Sequence, residues 1–194
     1  MIGHVPPRIR LDGERTAIRP LGLRDVDEFT AAVVANREHT SPWEPVHAEV
    51  HYTRAGQAET LRRDIEAWEL GTGYAFSVLD REHDDAIIGR IALGNVVHGA
   101  WRNATLGYWT AARAGGRGHA TAAAILICEF AFRHARLHRV QPAVIPRNLR
   151  SIRVVEKAGF RHEGRALRYL NIAGAWEDHE IYAMTLEDWD ARDR

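Results

Sequence analysis

The chain has almost no cysteine and almost no lysine. A single cysteine, Cys128, excludes an internal disulfide and a thiolate metal cluster. It lies in an Ala/Ile/Leu run, which suits a packed thiol; a nucleophile wants an electropositive, exposed setting. Lys157 is the one lysine among 26 Lys and Arg residues, and it follows Glu156, so no Gly-Lys-Ser/Thr phosphate loop exists. Long apolar runs are also missing. The longest, residues 122–128, is too short to cross a bilayer. Residues 1–10 hold prolines and arginines but no apolar stretch of a secretory leader, so the expectation is a soluble, cytoplasmic chain without a membrane partner. Net charge is absent too, with 26 basic against 26 acidic residues. Bulk attraction to nucleic acid is therefore not expected.

The zero hides a polarity. Residues 111–168 carry 12 basic and 3 acidic side chains, whereas residues 1–110 carry 12 and 16, and residues 169–194 carry 2 and 7. A cationic stretch sits between acidic flanks. The 11 histidines invite a metal reading, but no His-Glu-x-x-His occurs. His47/His51 and His134/His138 are lone four-residue spacings without a nearby acidic third ligand, so no metal site is expected.

Hydrophobic periodicity predicts an α/β chain. Helices are predicted over residues 24–39, 57–70, 118–134 and 149–158, with a short one from Leu186; Gly159 reads as a C-terminal cap. Strands are predicted over residues 16–20, 74–79, 86–97, 105–110, 138–145 and 160–165. Residues 167–172 and 176–184 form a hairpin around Ala173-Gly174, and residues 40–51, with Pro42 and Pro45, read as a loop. No repeat or long linker divides the chain, so residues 1–194 are expected to form one domain with a core over about residues 16–189.

The sharpest local feature is Arg113-Ala114-Gly115-Gly116-Arg117-Gly118, between a strand and a helix. Closely spaced glycines let successive amides point into one concavity at a helix N-terminus, a site for phosphate oxygens, and two arginines add charge. A bare flexible turn is the competing reading. A dinucleotide fingerprint fails because its third glycine would fall at Thr121. What remains is Arg-x-x-Gly-x-Gly, on Arg113, Gly116 and Gly118.

On that loop the sequence resembles the GCN5-related N-acetyltransferases. The resemblance extends to Leu106-Gly107-Tyr108-Trp109, Gly118-His119-Ala120-Thr121, Pro146-Arg147-Asn148, Ser151 and Lys157-Ala158-Gly159-Phe160. Pro42-Trp43-Glu44-Pro45-Val46, Asn95-Val96-Val97 and the stretch from Tyr169 to His179 resemble the branch that acetylates the N-terminal alanine of a ribosomal protein. The resemblance implies a three-layer α/β fold. Its mixed, mostly antiparallel sheet has about seven strands, a central parallel pair that splays apart, and helices on both faces. It implies acetyl-CoA as cofactor, leaving as CoA, and a protein substrate with a free N-terminus. It implies cofactor contacts from Tyr108, Trp109, Thr110, Arg113, Gly115, Gly116, Arg117, Gly118, His119, Ala120, Thr121, Asn148, Ser151 and Lys157.

Transfer from a thioester to an amine needs a neutral nucleophile, an oxyanion donor and an acid for the thiolate. An α-amine, with a pKa of about 7.7–8.0, is far easier to neutralise than a lysine at about 10.4. The resemblance puts the usual basic glutamate two residues before Gly107, where this chain has Thr105, which cannot accept the proton. Glu44 and Glu49, in the loop expected to overhang the substrate end, are the candidate bases, with plain solvated carboxylates as the alternative. The tyrosine that many members carry seven residues after the asparagine is replaced here by Val155. Ser151 matches the serine that some members use near the CoA sulfur, and backbone amides of residues 108–110 would meet the oxyanion. Asn148 reads both as a pantetheine contact and as a helix N-cap.

Trp43, Trp101, Trp109 and Trp176 are candidates for a substrate slot, Trp43 foremost and Trp109 more as core. The acidic hairpin residues Glu177, Asp178 and Glu180 suit a basic tail or simply a charged edge strand. Small-molecule amine or antibiotic acetylation, a non-catalytic acyl-CoA adaptor, nucleic-acid binding, and a monomer or homodimer all stay open at this stage.

Overall fold

The computed structural model describes residues 8–193. One mixed sheet runs β1 (Leu11–Asp12), β2 (Thr16–Pro20), β3 (Tyr74–Asp80), β4 (Ala86–Val97), β5 (Asn103–Thr110), β6 (Arg139–Val144), β8 (Ala175–Thr185), β7 (Arg161–Ile172). All neighbours pair antiparallel except β5 and β6, the central parallel pair. Of the eight strands, β1 is two residues long, too short for alternation to mark it in the sequence. The pieces expected over residues 160–165 and 167–172 are one strand, β7, bent by register shifts at His162/Gly164 and Ala166/Leu170.

Helices cover both faces. On one side α1 (Val26–Ala35) and α3 (Arg54–Leu70) press Val26, Phe29, Ala58 and Leu61 onto Ala17, Leu79 and Ile87 of the sheet. On the other, α4 (His119–Glu129) and α5 (Leu149–Lys157) bury Ala123, Ala124, Ile127 and Val155 in the larger core. Among the described residues no helix is long and apolar enough to cross a membrane.

Residues 24–39 are not one helix. A 3₁₀ turn, Leu23–Asp25, leads into α1, and Asn36 breaks the chain before α2 (Arg37–Thr40). The break has a physical cause: buried Asn36 donates from Nδ2 to Ala32 O and accepts Ala112 N–H on Oδ1 at 2.9 Å. That second bond ties the end of α1 to the segment that follows β5. The helix expected to reach residue 134 ends instead in a π turn, Phe130–His134, closed by Ala135 N–H to Phe130 O. The widened turn lets Phe130 pack on Phe76 and Tyr74 while Phe132 meets Trp189, which α6 (Leu186–Asp190) carries.

The loop over residues 40–51 contains 3₁₀ turns at Ser41–Trp43 and Glu49–Tyr52. It is pinned to the tip of the β7–β8 hairpin by Ala173 N–H donating to Glu44 O at 2.9 Å.

Candidate active site

The site begins where the parallel pair separates. Residues 103–106 of β5 pair with 139–142 of β6, and there the ladder stops, although β5 continues to Thr110 and β6 to Val144. Pro142 stands at the stop. It has no N–H, and the ladder of β6 to β8 also skips Gln141 and Pro142. The backbone of residues 107–110 therefore faces a gap on its β6 side. On its other side β5 is held tightly: a Cβ on Gly89 would lie 2.2 Å from Trp109 O, so only glycine lets β4 approach so closely.

After β5, a 3₁₀ turn, Ala112–Ala114, leads to the glycine loop and α4. Gly116 (φ +76°) and Gly118 (φ +86°) take left-handed backbone that favours glycine, with Arg117 between them. No acceptor among the described residues takes the amides of Gly116, Arg117 or Gly118, and no side chain caps α4. Those amides and the first-turn amides of His119, Ala120 and Thr121 form a concavity with the positive end of the helix dipole behind it. Arg113 and Arg117 are exposed and make no ion pair among the described residues. The polyanionic end of a CoA ester fits this donor set, because free amides and unpaired guanidinium groups are what phosphate oxygens require.

Successive side chains on β5 point to opposite faces. Tyr108 points toward α5, where its Oη lies 2.7 Å from Ser151 Oγ and donates weakly to Ser151 O at 3.3 Å. Burial pushes the phenol up to about 12, opposed only by the serine, so Tyr108 keeps its proton at neutral pH. Ser151 is fixed by α5's cap: its N–H donates to Asn148 Oδ1 at 3.1 Å. Asn148 is thus the N-cap, and no acceptor among the described residues takes its Nδ2. Two residues read separately from the sequence, Tyr108 and Ser151, form one hydroxyl pair.

Trp109 points the other way, onto Phe29 at 6.1 Å between ring centroids, and lines a cavity of about 450 Å³ beneath α1 and α3. Arg90 of β4 and Asp64 of α3, paired at 2.8 Å, form part of its wall. The loop contributes Glu44, His47, His51 and Tyr52. The rings of His47 and His51 stack at 3.9 Å with an 8° interplanar angle, and Tyr52 meets both edge-on. Glu44 Oε2 lies 3.8 Å from His47 Nε2. Buried Gln57 of α3 donates to His51 O at 2.6 Å and so holds this loop over the cavity.

Several expected site residues lie elsewhere. Glu49 does not line the cavity: it is exposed and bound to Arg37 at 2.9 Å, which holds its carboxyl below the usual range. Arg37 also stacks on Tyr52, 4.0 Å from the ring centre, so Glu49 supports the loop from outside. The side chain of His119 turns inward, 1% exposed, to Thr16 Oγ1 at 2.9 Å, which leaves only its amide facing the nest. Lys157 closes α5 six residues beyond Ser151, about 9 Å along the helix axis. Thr105 is satisfied by its own neighbours, donating to Gly94 O and accepting from Asn95 Nδ2.

Of the four candidate tryptophans only Trp109 lines the cavity; Trp43 is covered by Arg147, and Trp101 and Trp176 are exposed. The hairpin's acidic groups are occupied, Glu177 by Arg147, Asp178 by Arg168 N–H, and Glu180 by His162 and Arg165. The sequence reading missed Tyr52, Asp64, Arg90 and the joint placement of His47 and His51. The four-residue spacing of His47 and His51 is the one local signal for them, and as a metal motif it lacks a third ligand.

Residues 15–161 match a family model described as an acetyltransferase (GNAT) domain. The chain is 35% identical over 178 residues to the probable N-acetyltransferase YjcK of Bacillus subtilis, covering 92% of this chain and 98% of the relative. It is 32% identical over 183 residues to the [ribosomal protein uS5]-alanine N-acetyltransferase of Escherichia coli, covering 94% of each. The solved structure of Mycobacterium smegmatis RimJ in complex with CoA-disulfide matches with a TM-score of 0.84 at 31% identity, covering 98% of this chain and 92% of that one. Matched over most of its length in both sequence and fold, the chain belongs to the GNAT acetyltransferase family and is of the RimJ type.

Proposed function

We propose that this chain is an acetyl-CoA-dependent N-acetyltransferase acting, as a single cytoplasmic domain, on the N-terminal α-amine of a protein, with alanine first and a ribosomal protein as the natural acceptor. The observation that carries the reading is the division of labour across β5. A free-amide nest and the Tyr108–Ser151 pair lie on one side, and a cavity with titratable walls lies on the other. The acceptor class follows the E. coli relative, whose name specifies a ribosomal-protein alanine.

When bound, acetyl-CoA supplies an acetyl thioester. Arg113, Arg117 and the free amides of residues 116–121 would hold its phosphates, Gly115 N–H being taken by Ala112 O, and Asn148 Nδ2 and the gap-facing backbone of residues 108–110 would hold the pantetheine arm. Those same strand amides stabilise negative charge on the carbonyl oxygen. Ser151 Oγ holds the proton destined for the leaving sulfur, and Tyr108 Oη, still protonated, replaces it. An α-amine with a pKa of about 7.7–8.0 suits a site without the family's usual carboxylate at Thr105 better than a lysine at about 10.4.

The test is incubation with acetyl-CoA and peptides beginning in Ala or Ser, or N-terminally blocked with an internal Lys, followed by mass mapping. Acetyl on the alanine α-amine is the expected product. Modification of lysine alone overturns the α-amine assignment.

A further inference from the structure

We infer that the stacked His47–His51 pair, backed by Glu44, is the group that takes the proton from the acceptor amine. The inference rests on the amine-acetylating reading above and fills the role that Thr105 leaves open. Both imidazoles line the cavity that Trp109 of β5 also lines, so they share a space with the strand that faces the gap. Of the two carboxylates expected to serve as base, only Glu44 reaches this cavity, 3.8 Å from His47 Nε2.

The chemistry follows from the stacking. Two imidazoles 3.9 Å apart resist carrying two charges at once, so a proton on one ring disfavours a proton on the other. Burial, then His47 and then Arg63, hold His51 below its ordinary value, which leaves it neutral and able to accept near pH 7. One proton leaves the substrate nitrogen, the electron pair stays there as the nucleophile, and the charge moves to the imidazole pair. The Glu44 carboxylate stabilises that charge. The other charged groups around the pair are accounted for. Arg63 and Asp64 come from α3, and Arg90, already paired to Asp64, comes from β4. Arg37 of α2 stacks on Tyr52 and is paired to Glu49. Outside the loop, Arg147 and Glu177 are paired to each other, and α1 lines the cavity with Phe29 and Val33, followed by Asn36 at its end.

The experiment compares the full chain with H47Q, H51Q and the double variant by two readouts. Imidazole NMR titration without any ligand is expected to show coupled midpoints, each single variant shifting the remaining ring. Steady-state rates with an alanine peptide between pH 6 and 9 are expected to show the double variant about 100-fold down in kcat/KM at pH 6.5. That loss shrinks above pH 8, where the α-amine loses its proton unaided, and the KM for acetyl-CoA stays within about twofold. Uncoupled midpoints, or a loss equal at every pH, overturn the proposal. If the wild type acetylates a lysine or small amine instead, the α-amine reading falls, and a loss that shrinks only as pH approaches that amine's own pKa, about 10.4 for lysine, still supports the histidine pair. A wild type inert toward every amine overturns both.

Discussion

The arginines of this chain fall into two populations, and the contrast locates the polyanion. From β6 to the β7–β8 hairpin several are paired: Arg139 with Glu163, Arg147 with Glu177, Arg161 with Asp188, Arg165 with Glu180. Around the glycine loop and α5, Arg113, Arg117, Arg150, Arg153 and Lys157 are exposed and have no carboxylate partner among the described residues. Much of the unpaired positive charge of residues 111–168 therefore lies on the glycine loop and α5, while the acidic hairpin is locally neutralised. An unpaired cation beside free amides is a binding element; a paired one is scaffold.

The strongest way to break this contrast is to remove the nest and leave every arginine in place. Gly116 and Gly118 have positive φ, and a β-branched residue there is strained although neither position is crowded. Gly116→Val or Gly118→Val is expected to weaken acetyl-CoA binding about 100-fold, the equivalent of about 2.7 kcal/mol. Isothermal titration reads the loss, and thermal unfolding separates it from global destabilisation. A variant that binds as tightly as wild type means the amides are not the ligand.

Next in size is the hydroxyl pair, which bears on turnover rather than on affinity. Ser151→Ala is expected to lower kcat about 30-fold and Tyr108→Phe about 10-fold, with acetyl-CoA affinity within about twofold. Because the two hydroxyls touch at 2.7 Å, the double variant is expected to be little worse than Ser151→Ala. Full additivity in kcat separates the hydroxyls into independent roles.

How far the sequence reaches is visible in these same residues. The nest was legible because its glycines are closely spaced in sequence and the backbone alone supplies the function. The strands and the buried face of α4 were legible because their periodicity is local. The Tyr108–Ser151 contact was not, since it joins residues 43 apart through the packing of α5 on β5. Nor was the inward turn of His119, which depends on Thr16 from an edge of the sheet 103 residues away. The cavity needs α1, α3, β4 and the loop at once, so no spacing rule predicts that Arg90 and His51 line one space. Pro142 was a readable signal for the splay: a residue without an N–H in a central strand announces an interrupted ladder.

The two populations can be compared directly by one substitution from each. Arg117→Ala is expected to weaken acetyl-CoA binding about 5- to 10-fold, with a loss that narrows at high salt. Arg147→Ala is expected to leave that affinity unchanged. Arg147 covers Trp43 at 4.9 Å and holds Glu177 at 2.7 Å, so its loss frees the acceptor-side loop instead. The expected readout is a two- to fivefold rise in acceptor-peptide KM. Equal effects of both variants on acetyl-CoA would erase the distinction.

The smallest effect belongs to the purely structural pair. Glu180 accepts from His162 at 2.7 Å and from Arg165 Nε at 2.8 Å, and these bonds hold its carboxyl below the ordinary range. A depressed folded-state value means that the contribution is present above the unfolded pKa and is lost as pH falls through the folded one. Arg165→Ala is therefore expected to reduce stability at neutral pH by about 0.2–1 kcal/mol, lowering Tm by about 1–3 °C. The difference from wild type begins to narrow as pH falls below about 4.3, the unfolded value, and closes only as pH passes below the depressed folded value. Affinity for acetyl-CoA and turnover stay at wild-type values. Thermal scans at pH 7 and pH 3.5 check the sign, and a gap that widens in acid would show that Arg165 acts through something other than Glu180.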